Sequence, residues 1–196
     1  MLFTLFKARI RKKRLAQFRA GGTHVFLNLK QVGNIAFLYK LEGDGDIEAT
    51  KEIIKELRST NIPVKGVVVE VAKAFKDEAQ RIEFSAEVCE PNDVVFIGKK
   101  ELNWLGIPQG GKEKGVLERD NDLLIALNDN GNFTLEYLVT RSKGKCVVGM
   151  ENKPNMPYNL ILEQAQAHKG EHASAAYVKQ LLAYLRNIQG VQKHGE

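Results

Sequence analysis

Apolar and polar positions along this chain fall into two kinds of alternating block. Largely apolar runs of strand length stand at residues 35–41, 64–72, 94–97 and 123–127, the last of them continuous, and a shorter one begins at Cys146. Runs of this kind, bounded by polar residues, fit strands covered on both faces, as in a parallel sheet. Between them lie segments with helical spacing. Residues 46–61, DIEATKEIIKELRSTN, put Ile47, Ile53, Ile54 and Leu57 on one face and Glu48, Lys51 and Lys55 on the exposed sides. Asp46 is the expected N-cap, and Asn61 and Pro63 the stop. Residues 128–131 are turn formers. Phe133, Leu135, Tyr137 and Leu138 then recur at helical spacing behind Asn132 or Thr134 as cap. Gly144 is expected to end that helix in the left-handed conformation. Residues 35–72 and 122–149 therefore each predict a right-handed βαβ unit.

The remaining pattern is weaker. Residues 24–29 alternate enough to predict an edge strand, and residues 86–89 a short strand. Residues 99–111 read as a loop, 112–120 as a short helix interrupted by Gly115, and 160–162 as a short apolar patch. Residues 175–188 predict a closing helix with Val178, Leu181, Leu182 and Leu185 on one face. Residues 1–20 have no Gly or Pro and read as a helix, stopped by Gly21-Gly22. The sum is an α/β fold: a three-layer, Rossmann-like, mostly parallel sheet with a projecting basic N-terminal helix. The expected organisation is that helix over residues 1–20, a single α/β domain over 23–190, and a disordered tail over 191–196.

Composition supports one domain. The 196 residues are 43% hydrophobic, enough for a real core. No apolar run approaches the roughly 18–20 residues that span a bilayer. The start, MLFTLFKARIRKKR, lacks the secretory order, because its basic part follows a short apolar part. Cys89 and Cys146 stand beside valines, so buried free thiols are expected in place of a disulfide, and the cytoplasm is the expected compartment.

Charge changes the picture. Residues 1–20 hold Lys7, Arg9, Arg11, Lys12, Lys13, Arg14 and Arg19 and no acid. The other 22 basic residues face 24 acidic ones, so the body is near neutral and the net +5 belongs to the N-terminus. Seven cations in one segment would attract a phosphate backbone by counterion release. A membrane surface is the weaker expectation: Leu2, Phe3, Phe6 and Ile10 share a side, but the cations surround the helix.

With these residues in view, the chain resembles a bacterial protein family of unknown function. The likeness rests on the basic opening helix, on Lys99-Lys100-Glu101-Leu102-Asn103-Trp104-Leu105-Gly106, and on the segment from Asp122 through Gly149. That segment also resembles part of the first Rossmann-like half of heptosyltransferase-type glycosyltransferases, where a similar strand, loop, helix and strand ends in glycine. The second resemblance implies a nucleotide- or sugar-phosphate-binding enzyme.

Candidate ligand positions follow from the fold expected. Open α/β sheets bind ligands at the carboxyl ends of their strands. Lys99 and Lys100 there suit a phosphate and Trp104 a stacked base, with Asn128 and Asp129 as a second wall. Residues 43–46, Gly-Asp-Gly-Asp, lack a phosphate-loop pattern and carry two acids, so an ordinary turn is expected. His168 and His172 are four apart, but Gly170 between them disfavours a helix. No metal site and no cofactor is expected. The sequence thus carries two functional expectations. One is a non-enzymatic binding or adaptor protein contacting nucleic acid or ribonucleoprotein through residues 1–20. The other is the phosphate-binding enzyme.

Overall fold

The computed structural model describes residues 2–17, 25–43, 45–71, 74–88, 93–127, 131–153, 156–162 and 173–188. It forms six strands, β1 (Ile35–Leu41), β2 (Val64–Glu70), β3 (Val94–Ile97), β4 (Leu123–Ala126), β5 (Cys146–Gly149) and β6 (Leu160–Ile161). The helices are α1 (Leu2–Gln17), α2 (Gly45–Arg58), α3 (Glu78–Val88), α4 (Lys114–Leu117), α5 (Phe133–Arg141) and α6 (Ala173–Asn187). All strand pairs are parallel, in the order β3-β2-β1-β4-β5-β6. That is the Rossmann order, with its reversal between β1 and β4.

The layers follow from strand alternation. Ile35, Phe37, Tyr39 and Leu41 of β1 enter one core with Ile53 and Leu57 of α2 and Tyr177, Val178 and Leu181 of α6. Ala36 and Leu38 enter the opposite core with Leu117 of α4 and Leu135 and Leu138 of α5. Every residue of β1 is buried, Lys40 included, as its largely apolar run predicts for a central strand. The β1–β4 junction joins segments far apart in sequence and is pinned at its amino end. Asp122 accepts the Gly33 N–H at 2.8 Å and its own N–H donates to Asn34 Oδ1 at 3.1 Å.

Three local expectations are corrected. No strand forms at residues 25–29: Asn28 instead caps a short 3-10 turn, Leu29–Gln31, and its amide donates to the Ile188 carbonyl at the end of α6. Residues 86–88 extend α3 and form no strand. Phe84 on that helix is buried against the rings of Phe75 and Phe96, with centroids 5.5 and 5.8 Å away, and Asp77 caps its start by accepting the Gln80 N–H at 2.9 Å. The third concerns Gly144. Helix α5 ends at Ser142 in extended backbone, so Gly144 is not its left-handed cap. Glycine is needed there because a Cβ would lie 2.9 Å from the Leu124 Cβ.

Helix α1 projects less than its composition suggests. Leu15 packs against the α4/α5 core and Arg11 is held by the domain, while Leu5 and Phe6 in its first half are exposed. Among the described residues, no helix is long and apolar enough to cross a membrane. Cys146 is a buried free thiol, pushed above the usual thiol range by burial. Cys89 and the 191–196 segment lie outside the described residues.

Candidate functional site

The turn after β3 is built residue by residue. Glu101 Oε2 accepts the Gly98 N–H at 2.9 Å and Oε1 meets Lys112 Nζ at 2.6 Å. Burial alone would raise this carboxyl's pKa; Lys112 and the Gly98 amide outweigh that and hold it below the usual range. Asn103 Oδ1 then takes two N–H groups, from Leu105 at 2.9 Å and Ile107 at 3.0 Å, closing a tight turn. Leu105 is buried beneath it, and Gly106 adopts φ +87°, a conformation that favours glycine. Trp104, at the tip, is 51% exposed. Lys99 and Lys100 are exposed on the arm leading into it.

Helix α1 docks on this same turn. Arg11 Nε donates to the Leu105 carbonyl at 2.8 Å, and the Arg11 guanidinium lies 4.5 Å from the centre of the Phe133 ring. Thr134, in the first turn of α5, donates to the Gly106 carbonyl at 2.7 Å. Asn132 caps α5 by accepting the Leu135 N–H at 3.1 Å, which places Phe133 and Thr134 for these contacts. The basic helix and the turn that carries Trp104, two separate candidates in sequence, are thus in contact. Arg9, Lys12, Lys13 and Arg14 are exposed around the helix, Lys7 is half-buried, and Arg11 has a structural role. Arg19 lies outside the described residues.

Behind that turn is a cavity of about 450 Å³ at the carboxyl ends of β2 and β3. Glu70, Glu78, Arg81 and residues 98–101 line it. Its carboxylates are engaged: Glu70 accepts the Ala74 N–H at 2.9 Å, Glu78 pairs with Arg81, and Glu101 is bound as above. No ion-pair partner stands beside Lys99 or Lys100 among the described residues. Trp104 does not line this cavity, and Asn128 and Asp129 lie outside the described residues, so the second wall is not drawn from them.

The β1–α2 turn has a different chemistry from the one its fold would suggest. In Rossmann sheets the amides of this turn and the helix N-terminus hold a phosphate. Here the Asp46 carboxylate takes that part. It accepts the N–H groups of Glu42 and Gly43 and the Tyr39 hydroxyl, the last at 3.2 Å. Asp46 therefore sits inside the first turn of α2 and caps backward, where the sequence suggests an ordinary N-cap. Tyr39 is fully buried; burial, then the Asp46 charge, pushes its hydroxyl far above the usual tyrosine range. Lys40, buried in the same strand, reaches Glu42 at 2.9 Å. Sequence reasoning passed over Lys40, although its signal is plain: one cation inside the apolar run IAFLYKL.

All four histidines lie outside the described residues, and among the described residues no group of three His, Cys, Asp or Glu is placed to hold a metal.

The chain belongs to a family of unknown function, DUF6913, whose model matches residues 5–188. None of the curated proteins matches it in sequence. Among solved structures it is similar to E. coli heptosyltransferase WaaC with ADP, at 14% identity and a TM-score of 0.47. The match covers 83% of this chain and 50% of the other, so the chain spans half the length of that structure.

Proposed function

We propose that this member of the family is a non-enzymatic cytoplasmic protein that binds a polyanion, nucleic acid or a ribonucleoprotein, on the joint surface of α1 and the 99–106 turn. One observation carries the reading: the Arg11 bond to the Leu105 carbonyl, which seats the cationic helix against the turn that carries Trp104. Of the cations at 9 and 11–14, only Arg11 is used structurally; Arg9, Lys12, Lys13 and Arg14 remain exposed for phosphates. Each phosphate neutralised releases counterions, so log affinity falls with log salt by roughly 0.7–0.9 per contact. Lipid is the poorer fit. Leu5 and Phe6 are exposed, but the cations encircle the helix and would be dragged into the interface with them.

The test replaces Arg9, Lys12, Lys13 and Arg14 with Gln together, keeping Arg11 and Leu15 so that docking survives. Affinity for a mixed RNA or DNA oligonucleotide should fall and the salt slope should flatten by about three. Identical affinity and slope in the variant would rule the reading out.

A second reading, a nucleotide- or sugar-phosphate-binding enzyme, is favoured by the cavity at Arg81, Lys99 and Lys100. Against it, Asp46 already holds the amides of the β1–α2 turn. Thermal stabilisation by a nucleotide or sugar-phosphate, lost in Lys99→Ala with Lys100→Ala, would favour it over the first.

A further inference from the structure

We infer that the open edge of β3 receives an extended acidic peptide segment as a further strand of the sheet. This goes beyond the polyanion reading and stands without it.

β3 is the outermost strand on one side of the sheet, paired with β2. The Gly66 N–H donates to the Asp93 carbonyl at 2.7 Å. Alternate residues of a parallel strand bond to the same neighbour, so with Gly66 opposite Val94 the polar groups of Asp93, Val95 and Ile97 face β2. Those of Val94 and Phe96 face outward, and among the described residues nothing pairs with them. An edge of this kind is a template for another chain unless something covers it.

Here the edge opens into a cavity of about 610 Å³ between α3 and α4. Arg81, Ile82 and Ser85 of α3 form one wall, and Lys112, Gly115 and Val116 the other. Val94 and Phe96 line it too, although their side chains belong to the core with Phe84, so what they present is main chain. Ile82, 61% exposed, adds an apolar surface. Glu78 and Arg81 line both this cavity and the one behind the 99–101 turn, so the two run together along β3.

Charge selects the occupant. The acids of this groove are engaged: Glu70 by the Ala74 N–H, Glu78 by Arg81 and Glu101 by Lys112. Lys65 at the amino end of β3, and Lys99 and Lys100 at its carboxyl end, have no ion-pair partners among the described residues. The two ends are roughly 15–20 Å apart, five or six residues of extended chain at about 3.3 Å each. A peptide with acids flanking such a stretch satisfies the outward main-chain groups and the cations together, the usual division of labour in strand addition. A second copy fits worse. Pairing β3 with itself about a two-fold axis runs the strands antiparallel and sets Lys65 of each copy against Lys99 and Lys100 of the other. A nucleic-acid backbone has no N–H to give the Val94 and Phe96 carbonyls.

The experiment selects binders to the full chain from a displayed library of random peptides about ten residues long. The enriched peptides are then synthesised, and their affinities and their effect on amide exchange are measured. Enrichment of acidic sequences is expected. The Val94 and Phe96 amides should exchange fast in the free chain and slow by roughly tenfold or more when a selected peptide is bound. N-methylating alternate peptide amides in the edge-facing register should weaken binding by roughly tenfold, while the other register tolerates it. Lys65→Glu should lose about threefold or more. Enrichment of no peptide or of basic ones, or binding that leaves the Val94 and Phe96 amides unprotected, overturns the inference. Protection of those amides by raised protein concentration alone also overturns it, because the occupant is then a second copy.

Discussion

Asp122 shows how one side chain joins distant strands. Its carboxylate meets Lys145 Nζ at 2.7 Å and accepts the Gly33 N–H at 2.8 Å. Burial alone would raise its pKa; the Lys145 and Gly33 bonds more than offset this and lower it. A carboxyl held lower in the folded state than in the unfolded one stabilises fully above its unfolded pKa, near 4. The benefit is lost as pH falls through the folded value. Asp122→Asn should therefore cost roughly 1 kcal/mol at pH 7 and much less near pH 2. Urea unfolding at both pH values checks this; an undiminished cost in acid would refute it. Gly66 carries a packing constraint instead. Its Cβ would lie 2.3 Å from the fully buried Phe37 ring, so Gly66→Ala should destabilise by about 2 kcal/mol or more, read as a lowered urea midpoint.

At the scale of elements, α1 is the one whose role changes most on folding. Its sequence is basic on all sides, and among the described residues Leu15 gives it a core contact. Arg11 supplies the rest through the Leu105 carbonyl and the Phe133 ring. Removing it with Arg11→Ala should weaken docking by about 1–2 kcal/mol. Amide exchange in residues 4–17 should then quicken by tenfold or so, while the sheet amides and the melting midpoint barely move. Unchanged exchange in α1 would show that Leu15 alone seats the helix. The same scale explains α3. The run Ala86-Glu87-Val88-Cys89 alternates like a strand, and its helical alternative is favoured only once Phe84 meets Phe75 and Phe96.

For the whole molecule, the sheet is shared by both cores. β1 alone sends Phe37 and Tyr39 to one side and Ala36 and Leu38 to the other. Neither core survives loss of the strands that build the other, so the α/β body should unfold in one cooperative step. Trp104 fluorescence and far-UV circular dichroism should give coincident urea transitions; two separated transitions would contradict this. Charge is distributed at the same scale. The cations of residues 1–20 meet a body that is near neutral, so the net positive charge is concentrated in the N-terminal segment.

Sequence by itself determined the strands β1 to β5, the helices α2, α5 and α6, the parallel α/β class and the basic end, while β6 read only as an apolar patch. Continuous apolar runs and helical spacing report how a segment is buried, whatever it is buried against. Only the tertiary structure decided what those elements bring together. Arg11 and Leu105 are 94 residues apart, and nothing in either local pattern distinguishes Arg11 from the other cations of its helix. Asp46 reads as an N-cap until the backbone turns its carboxylate onto the Glu42 and Gly43 amides. Periodicity encodes burial over a few residues, whereas a site depends on contacts between residues far apart in the chain, which exist only once the sheet has ordered its strands.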